Sequence, residues 1–238
     1  METVKTAGQN VATKNQIFYI FYVACENGHL EVVKLLIKNG ADINKADEYQ
    51  RTPLYIACQN RHLEVVKLLL KNGADINKAD EHQRAPIHAA ILCGHLELVN
   101  LLIKNGADIN KATKYQQTPL YIACIYGHFE VVEFLIENGA NINNPNRNQE
   151  APLYRACQNG HFEVVKLLLK NNETATPRRT LLEMSYEKQN TETARFFLIQ
   201  DPMLFFTARY PRFPNEYFRN DFKKFEFLPR KCINNVSL

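Results

Sequence analysis

Five histidines stand at a constant interval along the chain. His29, His62, His95, His128 and His161 are each 33 residues from the next. Self-similarity at a period of about 20–50 residues marks a stack of small units that bury their apolar faces on one another. Around each histidine the chain repeats its wording. Gly28-His29-Leu30-Glu31-Val32-Val33 is followed by Arg61-His62-Leu63-Glu64-Val65-Val66 and three later versions. Asn39-Gly40-Ala41-Asp42-Ile43-Asn44 returns at 72–77 and 105–110, and in altered form at 138–143. Thr52-Pro53-Leu54-Tyr55 returns as Ala85-Pro86-Ile87-His88, Thr118-Pro119-Leu120-Tyr121 and Ala151-Pro152-Leu153-Tyr154.

The physics of one unit predicts a helix pair. Thr52 caps a helix, and Pro53 suits its first position, where the missing N–H would be unpaired anyway. That helix runs to about Asn60. In most units a Gly follows, which tolerates the left-handed conformation that ends helices. A second helix runs from about Leu63 to Lys71. Val66, Leu69 and Leu70 fall on one face, and Glu64 pairs with Lys67 outside. Asn72-Gly73 stops it, and residues 74–84, polar at their tip, lead to the next unit.

Thr-Pro-Leu-Tyr-x-Ala-Cys, Gly-His-Leu-Glu-Val-Val-Lys-Leu-Leu and Asn-Gly-Ala-Asp-Ile-Asn resemble the ankyrin repeat over roughly residues 18–172. The resemblance implies an all-α ankyrin-repeat solenoid of stacked helix-turn-helix units with polar, hairpin-like loops. Its expected parts are an N-terminal capping unit at 1–44, repeats at 45–77, 78–110, 111–143 and 144–176, a degenerate C-terminal capping unit at 177–200, and an irregular tail at 201–238. The chain departs from the family pattern in places. The family's first-helix His is kept only at His88 and becomes Tyr55, Tyr121 and Tyr154. Its loop-tip Gly becomes Gln50, Gln83, Gln116 and Gln149, and Arg61 replaces a helix-ending Gly. If those sites need positive φ, each substitution costs on the order of 1 kcal/mol.

The ends differ from the middle, as a stack's ends must. Tyr19-Ile20-Phe21-Tyr22 stands where Thr-Pro-Leu-Tyr would be. Residues 180–185 and 192–198 lie on the two helices of a last unit, after a connection shortened by four residues. The tail holds nine aromatic residues in 38, four prolines, and seven basic against four acidic side chains. It therefore carries most of the chain's formal +4. Two readings remain open for it: residues 201–227 fold back as a lid over the last repeat, or the segment recognises a partner.

Hydrophobic residues at 45% and charged ones at 23% argue against wholesale disorder. The apolar run Ile17–Cys25 is too short to span a membrane. Its end falls in register with a downstream helix, so it reads as a folded helix and not as a cleaved signal. Cys25, Cys58, Cys124 and Cys157 differ by 33 or a multiple of it. They occupy one place in successive units and read as buried core thiols in a reducing compartment, hence an intracellular, cytoplasmic protein. Units of the family stack about 10 Å apart, so the resemblance places these histidines too far apart to share a metal ion with bonds near 2 Å. In the family this histidine opens the second helix and hydrogen-bonds between units. No phosphate loop, nucleophile elbow or metal-protease helix occurs, so neither a catalytic group, a cofactor nor a small-molecule substrate is assigned.

Surfaces remain. In the family, partner contacts use the loop tips and the two positions before the Gly-His step, which line the concave face. Those pairs read Glu26-Asn27, Gln59-Asn60, Leu92-Cys93, Ile125-Tyr126 and Gln158-Asn159. Polar pairs thus flank a central apolar and aromatic patch, the composition of a binding hot spot unless those side chains pack on neighbouring helices or the tail. The loop tips add Glu48, Tyr49 and Arg51, then Glu81, His82 and Arg84, then Lys114, Tyr115 and Gln117, then Arg147, Asn148 and Glu150. Mixed signs with Tyr suit a protein partner, whereas nucleic acid favours a one-sign basic stripe. The expected function is a monomeric protein-interaction scaffold with contacts at Gln59, Asn60, Leu92, Cys93, Ile125, Tyr126, Tyr49, Arg51, His82, Arg84, Tyr115 and Gln117. An alternative is an adaptor to ubiquitin-ligase machinery, because Phe227-Leu228-Pro229, Ile233, Val236 and Leu238 loosely resemble an F-box-like opening. A third is nucleic-acid or anionic-membrane binding by the tail alone.

Overall fold

A computed structural model describes residues 16–171, 177–201 and Leu204. Helix α1 (16–26) pairs with α2 (Leu30–Lys38), α3 (Pro53–Gln59) with α4 (Leu63–Lys71), and α5 (Pro86–Leu92) with α6 (Leu96–Lys104). Then α7 (Pro119–Tyr126) pairs with α8 (Phe129–Glu137), α9 (Pro152–Asn159) with α10 (Phe162–Asn171), and α11 (Arg178–Glu187) with α12 (Thr191–Gln200). First helices pack on first helices, and second on second, in an all-α solenoid with no strand among the described residues. None of the described helices is long and apolar enough to cross a membrane.

Local chemistry starts and stops each helix as its residues dictate. Thr52 Oγ1 accepts the Tyr55 N–H at 3.1 Å, and Thr118 Oγ1 that of Tyr121 at 3.2 Å. Ala85 cannot cap α5, and there His88 Nδ1 accepts the Ala85 N–H instead, at 2.9 Å. The second helices α4, α6, α8 and α10 each bury a stripe: Val65, Val66 and Leu69, then Leu98, Val99 and Leu102, Val131, Val132 and Leu135, and Val164, Val165 and Leu168. Val65 belongs to this stripe and Leu70 is only half-buried, because a residue one turn before Leu69 shares its side. Each such side chain contributes about 1.5–3 kcal/mol when fully buried. Lys67 and Glu64 pair outside at 2.7 Å.

The unusual backbone sites do adopt positive φ. Gln50, Gln83, Gln116 and Gln149 hold φ of 61°, 58°, 60° and 62°, and Arg61 sits at 61°. At each of these sites the Cβ crowds the following carbonyl oxygen, which strains the backbone locally. At Gly28, Gly94 and Gly127 a Cβ would also collide with the ring of His62, His128 and His161 respectively.

The two ends are finished differently. Val32 is 40% exposed where Val65, in register, is 1% exposed. Among the described residues, the N-terminal pair thus presents a face that the following unit buries. At the other end, Leu204 is buried against the cap and its N–H donates to Asp201 O at 3.1 Å. The remainder of 201–227, for which a lid was one expectation, and the F-box-like positions lie outside the described residues.

The concave face as candidate interaction site

The loops that form this face are built from one repeated device. Asp47 Oδ1 accepts the backbone N–H groups of Tyr49 and Arg51, while Oδ2 takes the Arg51 guanidinium at 2.8 Å. Asp80 and Arg84 repeat this at 2.7 Å. Burial alone would raise the Asp47 carboxyl. Hydrogen bonds from Arg51 and Tyr22, with the Arg51 charge, hold it below the usual range instead. In the next loop Thr113 Oγ1 accepts from Tyr115 and Gln117, and in the next Asn146 does so from Asn148 and Glu150. There the charges have moved: Arg155 bonds Glu150 at 2.7 Å and donates to Tyr121 Oη at 2.9 Å.

Neighbouring tips are tied together. Glu81 N donates to Tyr49 O at 3.2 Å, Lys114 N to His82 O at 2.9 Å, and Arg147 N to Tyr115 O at 3.0 Å. The helices are tied in the same sense. His62 Nε2 donates to Glu26 O at 2.8 Å, His128 Nε2 to Leu92 O at 3.4 Å, and His161 Nε2 to Ile125 O at 2.8 Å. These rings therefore serve as rungs between units, as the resemblance implied.

Between the loop tips and the first helices lies a shallow hollow of about 260 Å³. Leu92, Ile122, Ile125 and Tyr126 line its helix side, and His82, Arg84, Thr113, Tyr115 and Gln117 its loop side. Leu92 and Ile125 are half-buried, Leu92 packing partly on the core, while Tyr126 and Tyr115 are exposed. Tyr126 stacks on His128 with ring planes 15° apart, so its position is set from behind. His82 Nδ1 is buried there without a hydrogen-bond partner.

The repeat period, the stacked helix pairs and the histidine rungs describe one known architecture. Family models of ankyrin repeats, each describing three copies, match residues 7–80 and 78–146, and a single ankyrin-repeat model matches 148–180. The chain belongs to the ankyrin-repeat family. No curated protein matches it. Ankyrin repeats are in general protein-interaction modules, and ankyrin-repeat proteins are typically scaffolds without enzymatic activity.

Of the residues singled out in this ankyrin chain, the hollow gathers Leu92, Ile125, Tyr126, His82, Arg84, Tyr115 and Gln117. Gln59, Asn60, Cys93, Tyr49 and Arg51 lie outside it. Asn60 Nδ2 donates to Ile56 O at 3.0 Å, closing its own helix, and the Arg51 guanidinium lies on the Tyr49 ring. Arg84 lines the hollow but is held by Asp80 and by the Tyr55 ring. Thr113 and Ile122 were missed. Thr113 stands where Asp47 and Asp80 do, so its register was the available signal. Among the described residues no group of three or more His, Cys, Asp and Glu is placed to hold a metal ion.

Proposed function

We propose that this protein binds a partner protein through the concave hollow and the adjoining loop tips, and performs no chemistry on it. The supporting observation is the hollow itself, where exposed Tyr126 and Tyr115 adjoin half-buried Leu92 and Ile125 within a polar frame. Aromatic anchors beside an apolar pocket, ringed by polar groups, are what binding hot spots consist of. The protein acts as a monomer, and the buried free thiols of Cys25, Cys58, Cys124 and Cys157 favour an intracellular setting.

Affinity capture from a native lysate, with mass spectrometry, tests this reading on wild type and on Tyr126→Glu and Tyr115→Glu. Loss of such anchors typically costs about 2 kcal/mol or more in binding. Partner capture should disappear while the melting temperature stays near wild type, since both side chains are exposed. Capture unchanged in both variants would place the interface elsewhere.

A further inference from the structure

Glu48, Glu81, Lys114 and Arg147 occupy one register position in four successive loop tips, and all four side chains are exposed. The backbone bonds between tips make this position a rigid column. Glu81, Lys114 and Arg147 each donate their N–H to the preceding tip, at 3.2, 2.9 and 3.0 Å. Along the column the sign changes once: two acids, then two bases. The nearby arginines do not blur this pattern. Arg51 and Arg84 are neutralised by Asp47 and Asp80, and Arg155 by Glu150. Near Glu81 stands His82, whose Nε2 is 3.6 Å from Oε1. Units about 10 Å apart are separated by roughly a Debye length at physiological salt. An approaching ligand therefore meets an acidic lobe and a basic lobe as separate fields. The hollow lies where the sign changes, with His82 and Tyr115 from the two adjoining tips in its wall.

We propose that the partner presents a polypeptide segment with basic side chains at one end, a large apolar side chain in the middle and acidic side chains at the other. The basic end lies over Glu48 and Glu81, the apolar side chain enters the hollow, and the acidic end lies over Lys114 and Arg147. This rests on the hollow's being the partner site. Charge complementarity selects such a segment over a polyanion, which the two glutamates would repel, and over a uniformly basic tail, which Lys114 and Arg147 would repel.

The test pans a displayed library of random peptides about 16 residues long, enough to span about 50 Å when extended. The baits are the full chain, Glu48→Lys/Glu81→Lys and Lys114→Glu/Arg147→Glu. Peptides enriched on the wild type should carry opposite charges on the two sides of an apolar residue. Those from the first double variant should be acidic on both sides, and those from the second basic on both sides. By fluorescence anisotropy, each double reversal should weaken a wild-type winner about tenfold at about 50 mM salt, and less than about twofold at about 500 mM. Winners of one charge sign, winners without charge bias, or no enrichment would overturn the proposal. So would binding of a single-stranded oligonucleotide that Lys114→Glu/Arg147→Glu abolishes. Winners lost on Tyr126→Glu but indifferent to both reversals would sink this proposal and leave the hollow as the partner site. Winners indifferent to Tyr126→Glu would remove the hollow itself.

Discussion

Asn190 donates through Nδ2 to the carbonyl oxygen of Cys157 at 2.8 Å. The same nitrogen lies 2.8 Å from Gln158 O. It thereby takes the part that His161 plays against Ile125 one unit earlier. Gln189 beside it holds φ of 60°, the place of Gly160. The last unit is thus joined to the stack by the same rung, with different residues.

Asn190→Ala should therefore loosen the C-terminal cap. Gln158 O loses this donor and Cys157 O keeps only the Gly160 N–H at 3.2 Å, at a cost of about 1–2 kcal/mol. Urea unfolding followed by circular dichroism should show a lower midpoint, with faster amide exchange confined to 178–200. An unchanged midpoint would mean that solvent replaces the rung without penalty.

Leu204 is the described part of the tail that reaches the core. Leu204→Ala should lower stability by about 2 kcal/mol, the low end for a buried leucine, because the site is at an end of the stack. Leu204→Met should be close to neutral. If alanine and wild type melt together, this residue does not seal the cap.

Much of this fold was legible because a period makes every departure visible. Thr52 and Pro53 announced a helix start, and the connection shortened by four residues placed the last helix pair at about 180–200. Leu92, Ile125 and Tyr126 were legible for the same reason, as apolar residues at polar register positions. Arg51 and Arg84 were read as loop-tip contacts, and their ion pairs with the aspartates four residues before them were not read from that spacing. The column of Glu48, Glu81, Lys114 and Arg147 needed the structure, since only the backbone bonds show that the tips are held in line. The tail has no register, so its aromatic content gave two readings and no means to choose.

The cysteines should differ sharply in reactivity. Burial pushes the Cys25 thiol up to about 12, and raises Cys58, Cys124 and Cys157 further. Cys93 is exposed. Iodoacetamide at about pH 8, near the pKa of a free thiol, should modify Cys93 in the native protein and the four buried thiols only after unfolding. A chelator should leave the melting temperature unmoved. Peptide mapping that finds the four modified under native conditions would contradict their burial, and stoichiometric zinc would contradict their role as core thiols.

His88 gives the stack a pH dependence. Burial lowers its pKa to about 4 from the ordinary 6.5, against a smaller upward effect from its bond to Lys111 O. Its Nε2 donates to Lys111 O at 2.8 Å while Nδ1 accepts from Ala85, a pattern that only the neutral ring satisfies. Between those two pKa values the unfolded chain holds more protons than the native one. Stability from this group is full above about pH 6.5 and is lost as pH falls toward 4, by up to about 3 kcal/mol. His88→Gln has nothing to titrate. Its urea midpoint, lower at neutral pH, should fall less steeply than wild type over that interval, and equal slopes would assign the effect to other groups.

Arg61 occupies the place that Gly28, Gly94, Gly127 and Gly160 hold in other units, at φ of 61°. Glycine there leaves room for the histidine of the following unit, as Gly28 does for His62. Arg61 stands in that relation to His95. Burial first, and the Arg61 charge next, lower the pKa of His95. Arg61→Gly removes the left-handed strain and the crowding together, offset in part by the greater freedom of glycine in the unfolded chain. The net gain should be about 1 kcal/mol. Arg61→Ala keeps a Cβ at the same φ and should gain little, which separates backbone relief from loss of charge. In both variants the His95 pKa, followed by NMR, should rise, because a neighbouring cation has gone. A destabilised Arg61→Gly would show that the arginine side chain contributes more to the stack than its backbone strain costs.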